Sequence, residues 1–472
     1  MTAGLEAVRA ALAGRSAWLV GGVVRDRALG RPAETADVDV VVEGDTAAAA
    51  RAVAQVAGHA AHFALSEEFG AWRVVSRDGS WQVDLEPIRG ETLEEDLALR
   101  DFTVNAIAEP LDGGELIDPL GGLADLRARR LRMAGAGAFA ADPLRVLRLV
   151  RVALELGLQA DAETLRAAGD HAAGLRGVSP ERVFVELRRI IATPNAVQGL
   201  EMMGELGATS VVLPELEPLR GVDQSRFHHR DVYGHTMEVL ERTIELTSGG
   251  LSARELGPAI GSHASEVAEL LAEPLADGLT RGEALRWGAL LHDAAKPLTR
   301  EVRPADGRVT FIGHDARGAE LSRAVMERLR ASERLRSHVA ALVRHHLRLG
   351  FLVHEPQPLS RRTVFSYLNA CSPVEVDVTL LSIADRLATR GERASEAIDA
   401  HMRLAGGLLA DALRWRAEGP PRPLLRGDEL AAALAIPTGP RIGELLAQLA
   451  EAQYAGDVST PEHALAYART LL

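Results

Sequence analysis

The sequence predicts a mixed α/β head followed by an almost entirely helical remainder, and three observations predict it. In the first 110 residues, short apolar β-type runs alternate with helical stretches. From about Gly121 onward, strand patterns almost vanish, and apolar residues recur at helical spacing through Leu144, Leu147, Val150 and Leu154, then Val183, Leu187 and Ile190. Turn-forming residues interrupt the helical part at residues 247–260 and 418–423, marking surface loops or boundaries.

Taken in order, residues 17–20, 37–42, 72–76, 81–85 and 103–108 read as strands, the third and fourth joined by the Asp78-Gly79 hairpin signal. Residues 23–29 and 46–57 read as helices. A length of 472 residues predicts two to four domains at about 100 to 200 residues each. No apolar run reaches the roughly 18 residues of a membrane span, and residues 1–14 lack the pattern of an export signal. The one cysteine, Cys371, excludes an intramolecular disulfide and a Cys-rich zinc module, and fits the cytoplasm. The formal charge of −13 argues against a nucleic-acid partner, but only as a chain average. Lysine occurs once, at Lys296, so arginine abundance reads as coding bias and carries no weight by itself.

Gly21 and Gly22 follow the first strand and open a helix, which frees backbone N–H groups and the positive helix end for a triphosphate. Arg25, one turn on, adds a charge-assisted contact, and Asp26 follows it. Such a turn alone equally marks a plain strand-to-helix connection. Asp37 and Asp39 change the balance: two apart on a strand, their carboxylates share a face and suit Mg²⁺. A bare Asp-x-Asp is otherwise a solvated strand end.

LVGGVVRD, DVDVVV, LRDFTVNAIAEP, IDPLGGLADL and FAADPLRVLRLVRVALELG resemble, in that order, the motifs of class II tRNA nucleotidyltransferases and the related bacterial poly(A) polymerases. The resemblance implies a head of the DNA polymerase β superfamily kind, with Asp37 and Asp39 as the catalytic Mg²⁺ pair. It also implies that Gly21, Gly22, Arg25 and Asp26 serve the triphosphate, and Arg100, Asp101 and Asn105 the ribose. Asp142 and Arg145 match the pair that reads the base edge of CTP or ATP without a template. Arg148 and Arg151 continue from them at a spacing of three, so the four are expected to form one polar stripe opposite the Leu144, Leu147 and Val150 face. An arbitrary helix with this pattern would be a solvated face. Between Arg127 and Arg151 seven arginines stand against one acid, Asp142, a patch able to draw in RNA despite the acidic total.

SPERVFVELRRII resembles the next family motif, with Ser179 as N-cap and Glu186 and Arg189 turned inward as a brace. The C-terminal run from Gly427 resembles the family tail, where the Gly439-Pro440 helix start could meet an RNA phosphate or simply begin a helix. Two departures stand out: Leu99 precedes Arg100 where the family has a second arginine, and Ala141 precedes Asp142 where it has glutamate. The link from Asp84 to Arg100 is short where relatives carry a flexible loop that aids the switch from CTP to ATP, which suggests addition of CC only. Asp84 itself reads as a surface strand position or a third carboxylate.

Downstream stand His235, adjacent His292 and Asp293, His314, adjacent His345 and His346, and Asp385. A lone helical histidine is usually structural, but this many with two aspartates suit a transition metal. YGHTMEVL, LLHDAAKPLTR, FIGHD, VRHHL and IADRLATRG resemble the HD phosphohydrolase pattern. That implies a first metal on His235, His292, Asp293 and Asp385, extra ligands from His314, His345 and His346, and a phosphate contact from Lys296. Mn²⁺, Ni²⁺, Co²⁺, Fe²⁺ or Zn²⁺ would fit. Some members hydrolyse 2′,3′-cyclic or terminal phosphates; the domain could otherwise be an inert RNA-binding or oligomerising body.

The expected organisation is a head at 1–120, a helical neck at 121–220, an HD domain at 221–405 and a helical tail at 406–472. The expected function is template-independent addition of CMP and AMP to the tRNA 3′ end from CTP and ATP, as CCA or CC only, with a phosphohydrolase activity. Poly(A) addition, or an HD phosphohydrolase whose head senses nucleotides, are the competing readings. No membrane partner is expected, and nothing in the sequence sets an oligomeric state.

Overall fold

A computed structural model describes residues 3–31, 37–66, 70–224, 229–249, 257, 259–390 and 394–472. The chain forms two compact units, Met1–Ile190 with Gln198–Val212, and Ile191–Val197 with Leu213–Leu472.

The first unit is built on six strands: β1 (Ala17–Val20), β2 (Asp37–Val42), β3 (Ala61–Ser66), β4 (Ala71–Val75), β5 (Gln82–Pro87) and β6 (Ala108–Pro110). Their order is β3-β4-β5-β2-β1-β6. Only β2 and β5 run parallel, and their register sets Asp39 opposite Asp84. Val38, Val40 and Val42 alternate into the core, which leaves Asp37 and Asp39 on the other face. The helix Thr46–Val56 is capped by the Asp45 side chain and buries Ala49, Ala50 and Val53. Gly79 turns the β4–β5 hairpin at φ 70°, as the sequence indicates.

Two elements differ from expectation. β3 was not foreseen, because most of its residues are exposed and its alternation is weak. The expected strand at 103–108 is instead a single 3₁₀ turn, Thr103–Asn105, followed by the short β6. Thr103 donates its hydroxyl to the fully buried Asp125 at 2.6 Å, and this bends an apolar run that only resembles a strand. Residues 102–108 are all buried, with strand-type pairing only at the two ends, Phe102 and Ala108. Beyond the sheet, the helix Arg145–Leu156 closes at Gly157 in the left-handed region, and the helix Pro180–Ala192 follows Ser179 directly.

The second unit is helical apart from two two-stranded ribbons, Pro274–Ala276 with Leu279–Thr280 and Glu301–Val302 with Val309–Thr310, while the pair Arg130–Leu131 and Gln159–Ala160 belongs to the first unit. In it, Val232–Thr247 packs against Arg281–Leu291 and Glu375–Ala388, while His314–Arg328 packs against Glu333–His345. Trp287 lies fully buried in this core. The C-terminal helices Gly427–Leu434, Pro440–Ala455 and Pro461–Thr470 close over their own core of Leu430, Leu445, Leu449 and Ala464. The 418–423 loop follows the helix Ala394–Glu418 as expected, whereas most of 247–260 lies outside the described residues. Among the described residues no helix is long and apolar enough to cross a membrane.

Two candidate active sites

In the first unit, a cavity of about 460 Å³ opens where β1 and β2 meet the helix Gly22–Ala28. Gly21 sits between β1 and that helix at φ 72°, and a Cβ there would lie 3.0 Å from Asp39 Oδ2. Only glycine meets both demands, so the turn brings backbone amides against the carboxylate pair. All the residues expected at the nucleotide line this cavity: Gly21, Gly22, Arg25, Asp26, Asp37, Asp39, Arg100, Asp101, Asn105, Asp142, Arg145, Arg148 and Arg151. Glu86 and Arg89 line it too, although no motif singled them out.

The polar wall is a connected network. Arg25 donates to Asp26 Oδ1 at 2.9 Å and to Asn105 Oδ1 at 2.7 Å. Asn105 donates onward to Asp101 Oδ1 at 3.0 Å, and Arg148 pairs with Asp101 Oδ2 at 2.9 Å. Burial alone would raise the Asp101 carboxyl, but Arg148 and the bonds from Asn105 and Phe102 N–H hold it below its ordinary value. Asp39 behaves oppositely: burial, with repulsion from Asp84 and Glu86, lifts it to about 6 against the pull of Arg100. Neither Asp37 nor Asp39 has an ion-pair partner among the described residues. Two same-face carboxylates, one under-compensated, fit a divalent cation. Asp84 is not free to join them, because Arg73 grips both its oxygens at 2.7 Å.

The expected arginine stripe is not one solvated face. Arg145 is buried and donates to the carbonyls of Leu99, Arg100 and Ala138 at 2.9, 3.2 and 3.0 Å. Asp142 accepts from Arg182 at 2.7 Å and from Leu144 N–H at 3.2 Å. Arg151, also buried, donates to Glu186 at 2.6 Å and Glu155 at 2.8 Å. Glu186 is thus the inward brace the sequence suggested, while Arg189 stays half-exposed and pairs with Glu155.

The second unit holds two metal-competent groups, His235 with His292 and Asp385, and Asp293 with His314 and His346. Asp293 faces both. Its Oδ2 lies 3.1 Å from His292 and 3.8 Å from His235, and its Oδ1 lies 3.3 Å from His314 and 4.0 Å from His346. The ring orientations are fixed from behind: Nδ1 of His292, His314 and His346 reaches the carbonyls of Ala289, Phe311 and Val343 at 2.7, 2.6 and 2.7 Å. A carbonyl only accepts, so each Nδ1 carries a proton and each Nε2 is the ring atom turned inward. His314 Nε2 and His346 Nε2 face one another at 3.3 Å, placing both beside the Asp293 carboxylate. Burial opposes ionisation of Asp293, but His292 and Lys296 hold it well below the usual carboxylate range. Asp385, bonded to His235 at 3.0 Å, is likewise held low against its burial.

His345 is a correction. It lies about 100° around the helix from His346 and belongs to neither metal-competent group among the described residues. Its Nδ1 instead accepts from Arg348 at 2.9 Å, and burial with Arg348 and Arg344 lowers it to about 4. Lys296 is at the site, but its ammonium pairs with Asp293 at 2.7 Å and donates to Gln224 at 2.6 Å. Gln224, Phe311 and Arg386 complete a cavity of about 640 Å³ here; Gln224 lies outside every motif, and Phe311 and Arg386 lie within FIGHD and IADRLATRG without having been singled out.

Comparison with known proteins bears on both units. Residues 17–132 match the poly A polymerase head domain, 157–219 the probable RNA and SrmB-binding site of polymerase A, and 260–390 the HD domain. An A-adding tRNA nucleotidyltransferase of Deinococcus radiodurans is 38% identical over 95% of this chain and 94% of its own. A CC-adding tRNA nucleotidyltransferase of Thermus thermophilus is 34% identical over 96% of this chain and 93% of its own. Among solved structures, the Thermotoga maritima CCA-adding enzyme complexed with tRNA shares the fold at a TM-score of 0.60 and 19% identity, covering 99% of this chain and 95% of that one. The poly(A) polymerase alternative is not favoured by these relatives. The chain belongs to the tRNA nucleotidyltransferase family and carries an HD domain behind its nucleotidyltransferase head.

Proposed function

We propose that the chain extends the 3′ end of tRNA by two cytidines from CTP in the head, and hydrolyses a phosphate ester in the HD domain. The observation that carries the first part is the convergence of the Gly21-Gly22 turn, Asp37, Asp39 and the Arg25–Asn105–Asp101–Arg148 network on one cavity. The 3′ hydroxyl oxygen attacks the α-phosphorus, the bond to the β-phosphate oxygen breaks, and pyrophosphate leaves. Amides at the helix start receive the triphosphate, and Arg100 and Arg148 offset its charge. Asn105 and Asp101 meet the ribose. Asp142 and Arg145 offer an acceptor and fixed donors to the base edge. Mg²⁺ held by Asp37 and Asp39 would acidify the attacking hydroxyl and neutralise the leaving group.

Restriction to CC rests on the link: only residues 88–91 separate β5 from the Thr92 N-cap of the helix Leu93–Ala98, too little for a mobile loop. The 38% identity to an A-adding enzyme favours a second reading, addition of one AMP to tRNA that already ends in CC. Purified protein given Mg²⁺, CTP and ATP singly and together, and tRNA ending either at the discriminator base or in CC separates them. Extension by two with CTP alone supports the first reading, and extension by one with ATP on the CC substrate replaces it. Full CCA from the first substrate overturns both.

For the HD domain, His235, His292, Asp293, Asp385, His314 and His346 would hold one or two ions of Mn²⁺, Ni²⁺, Co²⁺, Fe²⁺ or Zn²⁺. Such an ion supplies a hydroxide nucleophile near neutral pH. We assign the head to 1–120, the neck to 121–220, the HD domain to 221–405 and the tail to 406–472. A reaction on tRNA and nucleoside triphosphates belongs in the cytoplasm.

A further inference from the structure

Four directly opposed residues form one rung across the head sheet: Asp39 on β2, Asp84 on β5, Arg73 on β4 and Phe63 on β3. Opposed residues share a face, so Arg73 and Phe63 stand on the face that carries the Asp37 and Asp39 carboxylates, while Val74, Val83 and Leu85 fill the core on the other. Phe63 is 47% exposed there. Arg73 is held by Asp84 through Nε and Nη2, its side chain is 29% exposed, and its Nη1 makes no hydrogen bond among the described residues. The bond to Asp84 raises its pKa against burial, and the charges of Asp37 and Asp39 raise it further, so it stands within electrostatic reach of the pair. Neither Arg73 nor Phe63 lines the nucleotide cavity.

In-line displacement puts the attacking and leaving oxygens on opposite sides of the α-phosphorus. The Gly21-Gly22 turn, which receives the triphosphate in the nucleotidyltransfer reading, follows β1, the neighbour of β2 on one side. The attacking hydroxyl therefore comes from the other side, over β5, where the rung runs. We propose that this rung seats the RNA 3′ end: Arg73 takes the phosphate that joins the last two nucleotides, and Phe63 stacks on the terminal unpaired base. This rests on the nucleotidyltransfer reading and places its attacking strand. A guanidinium oriented by one carboxylate, with a donor to spare, suits a phosphate oxygen. An exposed aromatic ring suits any base, since every base has a π-face. The rung spans three strand spacings, about 14 Å, which leaves room for a nucleotide between Asp39 and Phe63. Asp84 is then a positioning residue that acts through Arg73.

The test is steady-state incorporation by full-length protein with Mg²⁺, using CTP on tRNA ending at the discriminator base or ATP on tRNA ending in CC, whichever wild type extends. The last linkage of the tRNA is either the normal phosphodiester or an uncharged methylphosphonate, and wild type is compared with Arg73→Gln and Phe63→Ala. Arg73→Gln should raise KM for tRNA about tenfold and KM for the triphosphate less than about twofold. The methylphosphonate should cost wild type about tenfold in kcat/KM and the Arg73→Gln protein less than about twofold, because the contact it removes is already gone. Phe63→Ala, at an exposed position, should raise KM for tRNA about tenfold, and a terminal nucleotide without its base should cost that variant nothing further. If Arg73→Gln loses all activity through the freed Asp84 charge, the Phe63 comparison decides alone. An equal methylphosphonate penalty in wild type and Arg73→Gln, or an unchanged KM for tRNA in Phe63→Ala, overturns the proposal and leaves nucleotidyltransfer standing. A wild type that extends neither tRNA overturns both.

Discussion

Asp96, fully buried, accepts Arg89 Nε at 3.0 Å through one oxygen and Arg100 Nη2 at 3.3 Å through the other. It fixes both arginines against the wall of the nucleotide cavity. Arg100 in turn lowers Asp39 against its burial. Asp96→Asn keeps the shape and removes the charge that orients the pair, so KM for the triphosphate should rise about fivefold to tenfold with a smaller fall in kcat. The fold should lose about 1–3 kcal/mol in urea unfolding. Steady-state incorporation kinetics beside a denaturation curve check both; an unchanged KM refutes the positioning role.

Arg145 is held by three carbonyls, which fixes the plane of its guanidinium. A lysine has a point charge in place of the fork and cannot satisfy three acceptors in one plane. Arg145→Lys should therefore relax base choice, with discrimination between CTP and UTP falling at least tenfold, about 1.4 kcal/mol. Single-nucleotide incorporation ratios measure this. Retained discrimination would mean the base is read elsewhere.

The sequence made some features legible and hid others for identifiable reasons. Asp37 and Asp39 were legible because a strand has period two, so spacing alone fixes their common face. The HD ligands were legible as residue types, but adjacent His345 and His346 could not be told apart without the helix phase that turns only one ring inward. The arginines at spacing three were legible as one polar stripe assigned to the nucleotide, but spacing cannot reveal which of them an acid on another helix engages. Glu186 meets Arg151 across 35 residues of chain. Asp96 carried no signal of its own; its burial comes from packing of the link against the sheet, beside Leu93 and Leu97.

The Arg151–Glu186 contact yields its own expectation, since both partners are buried. Removing one leaves the other charged in a poor solvent, which costs about 3–5 kcal/mol. Arg151→Met should destabilise by that order in urea unfolding, and adding Glu186→Leu should recover more than half of it. A double variant no more stable than the single one contradicts the account.

His346 and His345 make a paired test of the metal site. His346→Ala removes an inward Nε2 from the Asp293 group and should lower bound metal by about one equivalent per chain after reconstitution with Mn²⁺. His345→Ala should leave metal content unchanged, because its ring accepts from Arg348. Elemental analysis of the two proteins decides it. Nucleotide incorporation by the head should be unaffected in both.

His338 supplies a pH dependence away from either site. It is buried; burial lowers its pKa, Arg281, Arg334 and Arg416 lower it further, and Asp377 at 3.8 Å opposes them. The unfolded chain takes up the proton near pH 6.5, while the folded chain resists it to lower pH. Between those two values the unfolded state binds more protons, so stability rises with pH and is lost as pH falls below about 6.5. His338→Asn removes this proton uptake while keeping a polar side chain. Melting temperatures from pH 7.5 to 5 should therefore fall more steeply for wild type than for the variant, because the other buried histidines contribute equally to both. Parallel slopes would mean that Asp377 offsets the burial and that His338 takes up its proton at the same pH in the folded and the unfolded chain.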